Sequence, residues 1–293
     1  MRNEAVLAVF SVVIPAHNEA KVIERCLGAL LDGAAAGEPE IIVVCNGCTD
    51  DTAERARRFD ARIKVIELAR GSKPLALNTG NRAAHALPRF FVDADIVVSY
   101  ASLAAAAEAL RSGDPRAAAP AAKINASHAS LAVKLYCAIW QRTRYMRHHH
   151  IGAGVYGLNA AGLKRIGEFP DLIGDDQYVY EKFAPGERMT IARTATGSVA
   201  EFTMFAPRTL EDLVNVEMRR RAGDDEIRAL LGHRQTSLRG QLIGLAGLAL
   251  RPWLWPALGV FAYVKIECRR RYRAKKRSGA ASVWARDDSS RGA

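Results

Sequence analysis

The chain is poor in several features that define whole classes of protein. Its five cysteines are an odd, scattered set, which fits a reducing compartment and predicts no disulfide framework. No second Cys-x-x-Cys pair accompanies Cys45 and Cys48, so a four-cysteine zinc site is excluded. Their position in a loop explains these two residues better than redox or metal chemistry. Aromatic and basic residues do not alternate in the manner of nucleic-acid readers, so we expect no nucleic-acid partner.

An uninterrupted apolar run long enough to span a membrane is also missing. A spanning helix needs about 20 continuous apolar residues, and Arg251-Pro252 divides the apolar segment 242–264 into two shorter pieces. Trp253 and Trp255 favour the membrane–water interface. The segment is therefore typical of a shallow, interface-lying helical pair. A spanning helix and an ordinary core or oligomer helix stay as alternatives.

Positive charge is concentrated near one end of the chain. The formal net charge is +11, and the basic cluster 265–277 holds eight Lys or Arg residues against Glu267 alone. Anionic lipids attract such clusters by about 1 kcal/mol per charge. We therefore expect peripheral membrane contact through residues 242–277, on the inner face of the plasma membrane. The apolar stretch Ala5–Ile14 leads directly into a polar motif and is interpreted as a strand, so no secretion signal is expected.

The first hundred residues alternate between short apolar runs and helical stretches. The apolar runs begin at Phe10, Ile41, Ile63 and Arg89, and a helical stretch covers Ala20–Leu31. This alternation predicts a parallel sheet with helices on its faces. A polar cluster follows each strand, and ligands of such sheets bind beyond the carboxyl ends of the strands. The four clusters are therefore expected to converge on one site.

The last of these clusters carries the clearest chemistry. Asp93-Ala94-Asp95 directly follows the strand Arg89–Val92. Two carboxylates two residues apart can reach one divalent cation. Hard, oxygen-ligated Mg²⁺ or Mn²⁺ suits such a pair, and a diphosphate would complete its coordination.

Taken together, these motifs resemble those of the family 2 inverting glycosyltransferases, which have the GT-A nucleotide-diphosphosugar fold. The matching motifs are Val-Ile-Pro-Ala-His-Asn-Glu, Asn-Gly-Cys-Thr-Asp-Asp-Thr, Lys-x-x-Ala-Leu-Asn-x-Gly and Asp-Ala-Asp, in this order over residues 10–100. The resemblance implies an α/β fold: a single Rossmann-like domain with a mostly parallel central sheet flanked by helices. A helical, membrane-leaning C-terminal extension would follow it.

The resemblance also implies roles for the polar residues in binding a nucleotide-sugar donor. Asp93 would face the ribose or the donor sugar, and Asp95 would bind Mg²⁺ or Mn²⁺ with Asp93 beside it. Many relatives carry an Asp where this chain has Cys45-Asn46, which leaves the identity of the base open. The remaining donor-binding residues would be Pro15, Ala16 and Glu19 near the base and ribose, Asn46 and Asp50 near the base, and Lys73 near the base or phosphates.

In the second half of the chain, Asp175-Asp176 precedes a helical stretch, which is also typical of an ordinary helix N-cap. By resemblance to the acidic pair of the family, Asp176 is the catalytic base and Asp175 its neighbour. Gly152–Gly157 matches the dinucleotide fingerprint but enters a strand rather than a helix. The resemblance instead implies that this segment lines the donor–acceptor cleft, with Gly154 as a weaker assignment beside the sugar or pyrophosphate. Weaker assignments are Arg220 as a pyrophosphate ligand and His233 as a metal ligand; a solvated end of a helix suits His148–His150.

The predicted organisation is a catalytic domain over 8–222, a helical C-terminal region over 223–277 and a disordered tail over 278–293. The predicted reaction transfers a sugar to an acceptor hydroxyl with inversion, with a lipid- or glycan-type acceptor in polysaccharide or cell-envelope synthesis. Transfer to a polyprenyl phosphate is an alternative, and a non-catalytic nucleotide-sugar-binding membrane scaffold is another. A nucleotidyltransferase is disfavoured because no Gly-rich triphosphate loop follows the first strand. Donor, acceptor and oligomeric state stay open.

Overall fold

The computed structural model describes residues 10–278 except 36, 112, 115, 144, 145, 147–150 and 233–245. The chain forms two compact units whose segments alternate along the sequence. The first unit comprises the described residues of 1–123, 150–171 and 182–204, and the second those of 124–149, 172–181 and 205–293. The predicted domain boundary at residue 222 lies inside a helix of the second unit. The predicted tail lies outside the described residues, except for residue 278.

The described residues form the following strands and helices. The strands are β1 (Ser11–Ala16), β2 (Glu40–Asn46), β3 (Lys64–Leu68), β4 (Arg89–Val92), β5 (Val97–Val98), β6 (Ala117–Asn125), β7 (Val155–Leu158), β8 (Arg188–Ile191) and β9 (Glu201–Phe205). The helices are α1 (Ile23–Leu31), α2 (Thr52–Phe59), α3 (Lys73–Ala83), α4 (Tyr100–Ala109), α5 (Leu131–Trp140), α6 (Ala160–Ile166), α7 (Asp175–Lys182), α8 (Leu210–Leu231) and α9 (Trp255–Arg277). Short 3₁₀ helices cover Pro185–Glu187 and Pro252–Leu254.

The sheet has a parallel half and a largely antiparallel half. Its strand order is β3-β2-β1-β4-β7-β6-β9-β5, with β8 paired to β6. The first four of these strands are parallel, as predicted, and β7 then runs antiparallel to β4. All residues of β1 and β4 are buried, which explains why both strands are almost continuously apolar. The carboxyl ends of β1 to β4 therefore share one edge of the sheet.

Close packing fixes the helices on this sheet. A Cβ at Gly80 of α3 would lie 2.3 Å from Val13 Cγ1, so the helix rests on β1 at a distance that only glycine permits. Phe10, just before β1, packs edge to face against Phe90 of β4 with ring centroids 5.3 Å apart. Phe91 of β4 stacks on Tyr156 of β7 at 5.1 Å. These fully buried rings join β1, β4 and β7 into one core.

The second unit is built mainly from α5, α8 and α9. Tyr136 of α5 stacks on Phe261 of α9 with ring centroids 5.0 Å apart. Buried Glu217 of α8 forms ion pairs with Lys265 of α9 and with Arg220, the latter at 2.8 Å. Burial alone would raise the pKa of Glu217, but the charges of Lys265 and Arg220 outweigh it and lower that pKa to about 2. The C-terminal helix is therefore held to α8 by an ion pair with a buried carboxylate as well as by apolar packing against α5.

Within the described part of the chain, no helix is long and apolar enough to cross a membrane. The predicted apolar segment 242–264 is described from Ala246 onward. Pro252 opens a 3₁₀ helix and α9 starts at Trp255, so the Arg-Pro break ends one helical piece and begins another, as predicted. The shallow membrane contact stays a prediction.

Candidate functional site

The loops that follow β1, β2 and β3 are tied together by one side chain. Asn46, the last residue of β2, donates from Nδ2 to the Ala16 carbonyl at 2.8 Å and accepts at Oδ1 from the Ser72 amide at 2.9 Å. A Cβ on Gly47 would lie 2.5 Å from the backbone nitrogen of Gly71, so the two loops meet backbone to backbone. Asn46, predicted to lie near the base, therefore fixes the shape of this edge of the sheet.

A second set of hydrogen bonds joins the loop after β1 to the start of α2. The buried Glu19 donates its amide to Thr52 Oγ1 at 2.8 Å, and the Ala20 amide donates to Asp50 Oδ2 at 3.2 Å. Asp50 Oδ1 accepts from the Thr52 amide at 3.1 Å. Five of the predicted donor-binding residues thus lie together at the carboxyl ends of β1 and β2: Pro15, Ala16, Glu19, Asn46 and Asp50.

Lys73 and Asp93, predicted separately from two motifs, form an ion pair. Lys73 Nζ lies 2.6 Å from Asp93 Oδ1, and both side chains keep about a third of their surface exposed, at 37% and 35%. The Asp93 amide donates to the Gly154 carbonyl at 2.8 Å, and a Cβ on Gly154 would lie 3.2 Å from Asp93 Oδ2. Gly154 has a φ of 93°, so its left-handed backbone brings this loop against Asp93.

Arg25 of α1 is a neighbour of this site that the sequence did not predict. Burial lowers the pKa of Arg25, and the nearby negative charge of Asp95 opposes that shift. Next to it, Cys26 is fully buried; burial and the charge of Asp95 raise the pKa of this thiol, and its sulfur faces the Asp93 carbonyl. Arg25 lies in α1 among buried apolar residues and belongs to no recognisable sequence motif. Only the fold therefore reveals that α1 brings a positive charge near Asp95.

The residues present suit a divalent cation that shares its ligands with a phosphate. In the described ranges, no group of three or more His, Cys, Asp or Glu side chains is placed to hold a metal ion. Asp93 and Asp95 supply hard oxygen ligands, and Mg²⁺ is commonly bound by one or two carboxylates together with substrate phosphates. The carboxylate pair therefore fits a cation that arrives with a diphosphate better than a site built only from protein ligands.

The acidic pair predicted in the second half lies at the N-terminus of α7. Asp175 is buried, and Asp176 accepts from the Gln177 amide at 2.8 Å. The preceding Gly174 has a φ of 90°, a left-handed conformation that glycine adopts without strain, and the helix begins at the next residue. The Ile173 amide donates to Glu226 of α8 at 2.7 Å, so the loop before the acidic pair is anchored to α8. Asp176 is thus placed at a helix start, as predicted, within the second unit.

The two weaker assignments have different outcomes. Arg220 lies 2.8 Å from Glu217, and its guanidinium carbon lies 4.3 Å from the centre of the Trp140 ring. These contacts stabilise the second unit, and the pyrophosphate role of Arg220 stays a prediction. His233 and His148–His150 lie outside the described residues.

Comparison with known proteins adds the family-level findings. The model of the family described as "Glycosyl transferase family 2" matches residues 11–163. A curated protein of Bacillus subtilis, the uncharacterized glycosyltransferase EpsJ, is 39% identical over 94 residues, which cover 31% of this chain and 27% of that protein. The chain therefore spans about a quarter of the length of this relative.

A solved structure extends the likeness over most of the chain. It is the mannosyltransferase PcManGT from Pyrobaculum calidifontis in complex with GDP-Man and Mn²⁺. The identity is 20%, the TM-score is 0.58, and the match covers 94% of this chain and 76% of that one. At this identity the likeness concerns the fold alone.

Proposed function

We propose a reaction for this chain, which belongs to glycosyl transferase family 2. It transfers a sugar from a nucleotide-diphosphate sugar to an acceptor hydroxyl, with inversion at the anomeric carbon. One observation supports the proposal above all others. The ion pair between Lys73 and Asp93 adjoins the Asn46-bridged loops at the carboxyl edge of the parallel strands. Ligands of open α/β sheets bind at this edge.

In the proposed complex the loops after β1 and β2 receive the base and ribose of the donor. Pro15, Ala16 and Glu19 border the nucleoside, and Asn46 and Asp50 lie near the base. The backbone around them is already braced by hydrogen bonds, so donor binding requires little ordering of the chain. A site held in shape before binding loses less conformational entropy when the ligand arrives.

The phosphates and the donor sugar are assigned to the end of β4. Asp93 and Asp95 would hold Mg²⁺ or Mn²⁺, the ions that suit carboxylate and phosphate oxygens. When bound, the cation would offset the negative charge that builds on the nucleoside diphosphate leaving group. Lys73 and Arg25 contribute fixed positive charge near the two carboxylates. Gly154 lets the backbone approach the sugar closely.

Asp176 is the proposed catalytic base, with Asp175 as its neighbour. It would accept the proton of the acceptor hydroxyl as that oxygen attacks the anomeric carbon from the face opposite the diphosphate, which inverts the configuration. The Gln177 amide holds one of its oxygens, and the Glu226 contact at Ile173 holds the preceding loop. The proposed base, the Asp176 carboxylate, is therefore attached to backbone that hydrogen bonds hold in place.

A lipid-linked acceptor at a membrane surface is the finer part of the proposal. Leu250, Trp253, Trp255 and Ile266 are all more than half exposed, at 84%, 74%, 61% and 64%. Basic residues follow on α9. Exposed tryptophans beside a basic helix match an interface that contains anionic lipid. This proposed surface suits a polysaccharide or cell-envelope acceptor carried on lipid.

The test of the donor site is thermal stability in the presence of UDP-, GDP- and dTDP-sugars, with and without Mn²⁺. A ligand at a hundred times its dissociation constant stabilises by about 2.7 kcal/mol. We expect such a metal-dependent shift with one base, and its loss in Asp95→Ala. Asp32→Ala, at an exposed position, is the matched control and keeps the shift. No shift with any donor would contradict the donor-site assignment.

Turnover of Asp176→Asn tests the base. Removal of a general base typically costs a factor of about 10² to 10⁴ in rate. We expect the variant to bind the donor normally and to release nucleoside diphosphate slowly, while Asp171→Asn stays near the wild-type rate. Near-normal turnover by Asp176→Asn would instead favour an acceptor that is already an anion, such as a polyprenyl phosphate.

A further inference from the structure

Cys45 and Cys48 are a pair of thiols that the proposed reaction does not use. The sequence favoured a loop position over redox chemistry for both, but Cys45 lies in strand β2 and only Cys48 lies in the turn that follows. Both are free thiols, and each packs into the core cluster of the first unit. Cys45, in β2, is only 1% exposed, whereas Cys48, in the turn that follows, is partly exposed. Ala16 of β1 is the strand partner of Cys45, and its carbonyl lies 3.5 Å from Cys48 Sγ, so both thiols lie beside the same residue. A buried thiol thus faces a second thiol that solvent can reach.

Two backbone groups act on the Cys48 thiol in opposite directions. The Asn18 amide donates to Cys48 Sγ at 3.4 Å and favours the thiolate, whereas Sγ donates to the Ala16 carbonyl at 3.5 Å, which favours the thiol. The hydrogen bond from Cys45, and after it the Asn18 amide, lower the pKa of Cys48, although partial burial opposes them. Contact with Cys48 and burial raise the pKa of Cys45. Cys48 is therefore the more readily ionised of the two thiols, and Cys45 is the one that keeps its proton more firmly.

We propose that Cys45 and Cys48 form a redox-active dithiol that closes reversibly to a disulfide and thereby reshapes the donor-binding turn. The sequence places Asn46 and Gly47 inside the ring that such a bond would close. Because Asn46 bridges Ala16 and Ser72, a change in its backbone disturbs two loops at once. The link to donor binding rests on the proposed function, whereas the disulfide itself does not.

The oxidant is a hydroperoxide, and the step balances. The Cys48 thiolate attacks one peroxide oxygen, the O–O bond breaks, and the departing oxygen takes up a proton as water or an alcohol. The resulting sulfenic acid on Cys48 is attacked by the Cys45 sulfur; the S–O bond breaks, and water leaves with the thiol proton. Two thiols are oxidised to one disulfide and one peroxide is reduced. A dithiol reductant reverses the change by exchange.

The experiment maps cysteine oxidation in the full chain without any nucleotide. Hydrogen peroxide is added, free thiols are alkylated under denaturing conditions, and the peptide that contains both residues is sequenced by mass spectrometry. We expect a Cys45–Cys48 disulfide that dithiothreitol removes, with Cys137 and Cys268 still alkylated. In Cys45→Ser we expect Cys48 to oxidise to a sulfenic acid that a dimedone probe traps. Cys48 left unoxidised in the wild type, or oxidised there without a cross-link to Cys45, would overturn the proposal.

The consequence for the turn is measured separately. The apparent affinity for the donor, read from the donor-induced thermal shift, should fall at least tenfold after oxidation and return after reduction, whereas Cys48→Ser should keep its shift under the same peroxide treatment. A disulfide that leaves the wild-type shift unchanged would overturn the coupling. If the reduced wild type shows no shift with any donor, the proposed function fails, while the disulfide map still decides whether the dithiol exists.

Discussion

At the scale of single residues, Glu40 shows how one carboxylate can join several segments. Its side chain accepts from the Ser11 hydroxyl and from the amides of His85 and Ala86, at 2.8 Å and 3.0 Å for the amides. Burial alone would raise the pKa of Glu40, but these hydrogen bonds outweigh it and lower that pKa to about 2. Its unfolded value is about 4.3. Folding therefore favours the charged form.

This depressed pKa predicts a defined dependence of stability on pH. The contribution of Glu40 is fully present above its unfolded pKa and is lost as pH falls from there through about 2, because in this range the unfolded chain takes up a proton that the folded state does not. Since the side chain is partly exposed, we expect Glu40→Gln to cost about 1 to 3 kcal/mol at pH 7. Urea unfolding between pH 7 and pH 2 is the measurement. Glu54→Gln, in an exposed ion pair, should change stability little; an equal loss there would contradict the prediction.

The sequence predicted the site residues that belong to motifs, but not those that the fold brings to the site from elsewhere in the chain. Asp93, Lys73 and Asn46 follow strand ends, so a rule about strand ends was enough to gather them. Arg25 reaches Asp95 only because α1 packs against β5, the strand just after Asp95, and a long-range contact of this kind has no local pattern. The same limit applies to Asp176, whose helix start was predictable and whose catalytic role stays a prediction.

At the scale of elements, α8 approaches the loop before α7 so closely that a side chain at Gly223 would not fit. A Cβ on Gly223 would lie 2.3 Å from the Ile173 carbonyl oxygen, a backbone atom that cannot rotate away. We expect Gly223→Ala to displace this loop and to cost about 1 to 3 kcal/mol. It should also slow turnover more than it weakens donor binding, because Asp176 follows the displaced loop. Thermal unfolding and steady-state kinetics give both numbers.

Gly259 of α9 supplies the matched control. Among the described residues, no atom beyond the adjoining turns of its own helix lies within 4 Å of a Cβ built there. Gly259→Ala should therefore stabilise the protein by about 0.5 to 1 kcal/mol, since alanine is the better helix former. If both substitutions destabilised equally, the close approach of α8 to Ile173 would be ruled out as the cause.

The ion pair between buried Glu217 and partly exposed Lys265 gives a second prediction at this scale. Removal of one partner from a buried ion pair typically costs about 3 to 5 kcal/mol, because the other charge stays uncompensated. Lys265 keeps 36% of its side-chain surface exposed and Arg220 also lies at Glu217, so we expect Lys265→Met to cost only about 1 to 3 kcal/mol. The double variant Glu217→Gln/Lys265→Met should recover part of the loss. A single variant as stable as wild type in chemical denaturation would show that Lys265 does not compensate Glu217.

Element prediction succeeded where the sequence pattern was local. The strand Arg89–Val92 has the predicted ends, and α1 ends at Leu31 as predicted but starts at Ile23 rather than Ala20. Residues 20–22 form a turn instead, in which the Glu19 amide donates to Thr52 and the Glu19 carbonyl accepts from the amides of Val22 and Ile23. The antiparallel half of the sheet was not predicted. Its strands pair across long stretches of sequence, and β6 is rich in alanine, which gives little strand signal.

At the scale of the whole molecule, the exposed apolar residues and the basic cluster predict binding to anionic vesicles. Each basic residue near such a surface contributes about 1 kcal/mol, and salt screens this attraction within about 10 Å. We expect sedimentation with phosphatidylglycerol vesicles at low salt, weaker binding at high salt and little binding to neutral vesicles. The variant Trp253→Ala/Trp255→Ala should bind at least tenfold more weakly, which corresponds to about 1.4 kcal/mol.

Leu87→Ala is the control for this measurement, because Leu87 is an exposed apolar residue in the first unit. It should bind vesicles like the wild type. Binding to neutral and anionic vesicles with equal affinity would contradict the electrostatic part of the prediction. Binding that does not change in the double tryptophan variant would contradict the part assigned to the exposed tryptophans.

The hydrogen bonds that Glu40 accepts form an anchor that lies away from the polar loops of the sheet. It joins the starts of β1 and β2 to the segment before β4, at the edge of the sheet opposite the polar loops. Strand register is therefore secured at one edge, while the loops at the other edge determine what is bound. Insertions or exchanges in those loops leave the anchor intact. An engineer who wishes to change donor preference can graft whole loops after β1, β2 and β3 and keep the scaffold beneath them.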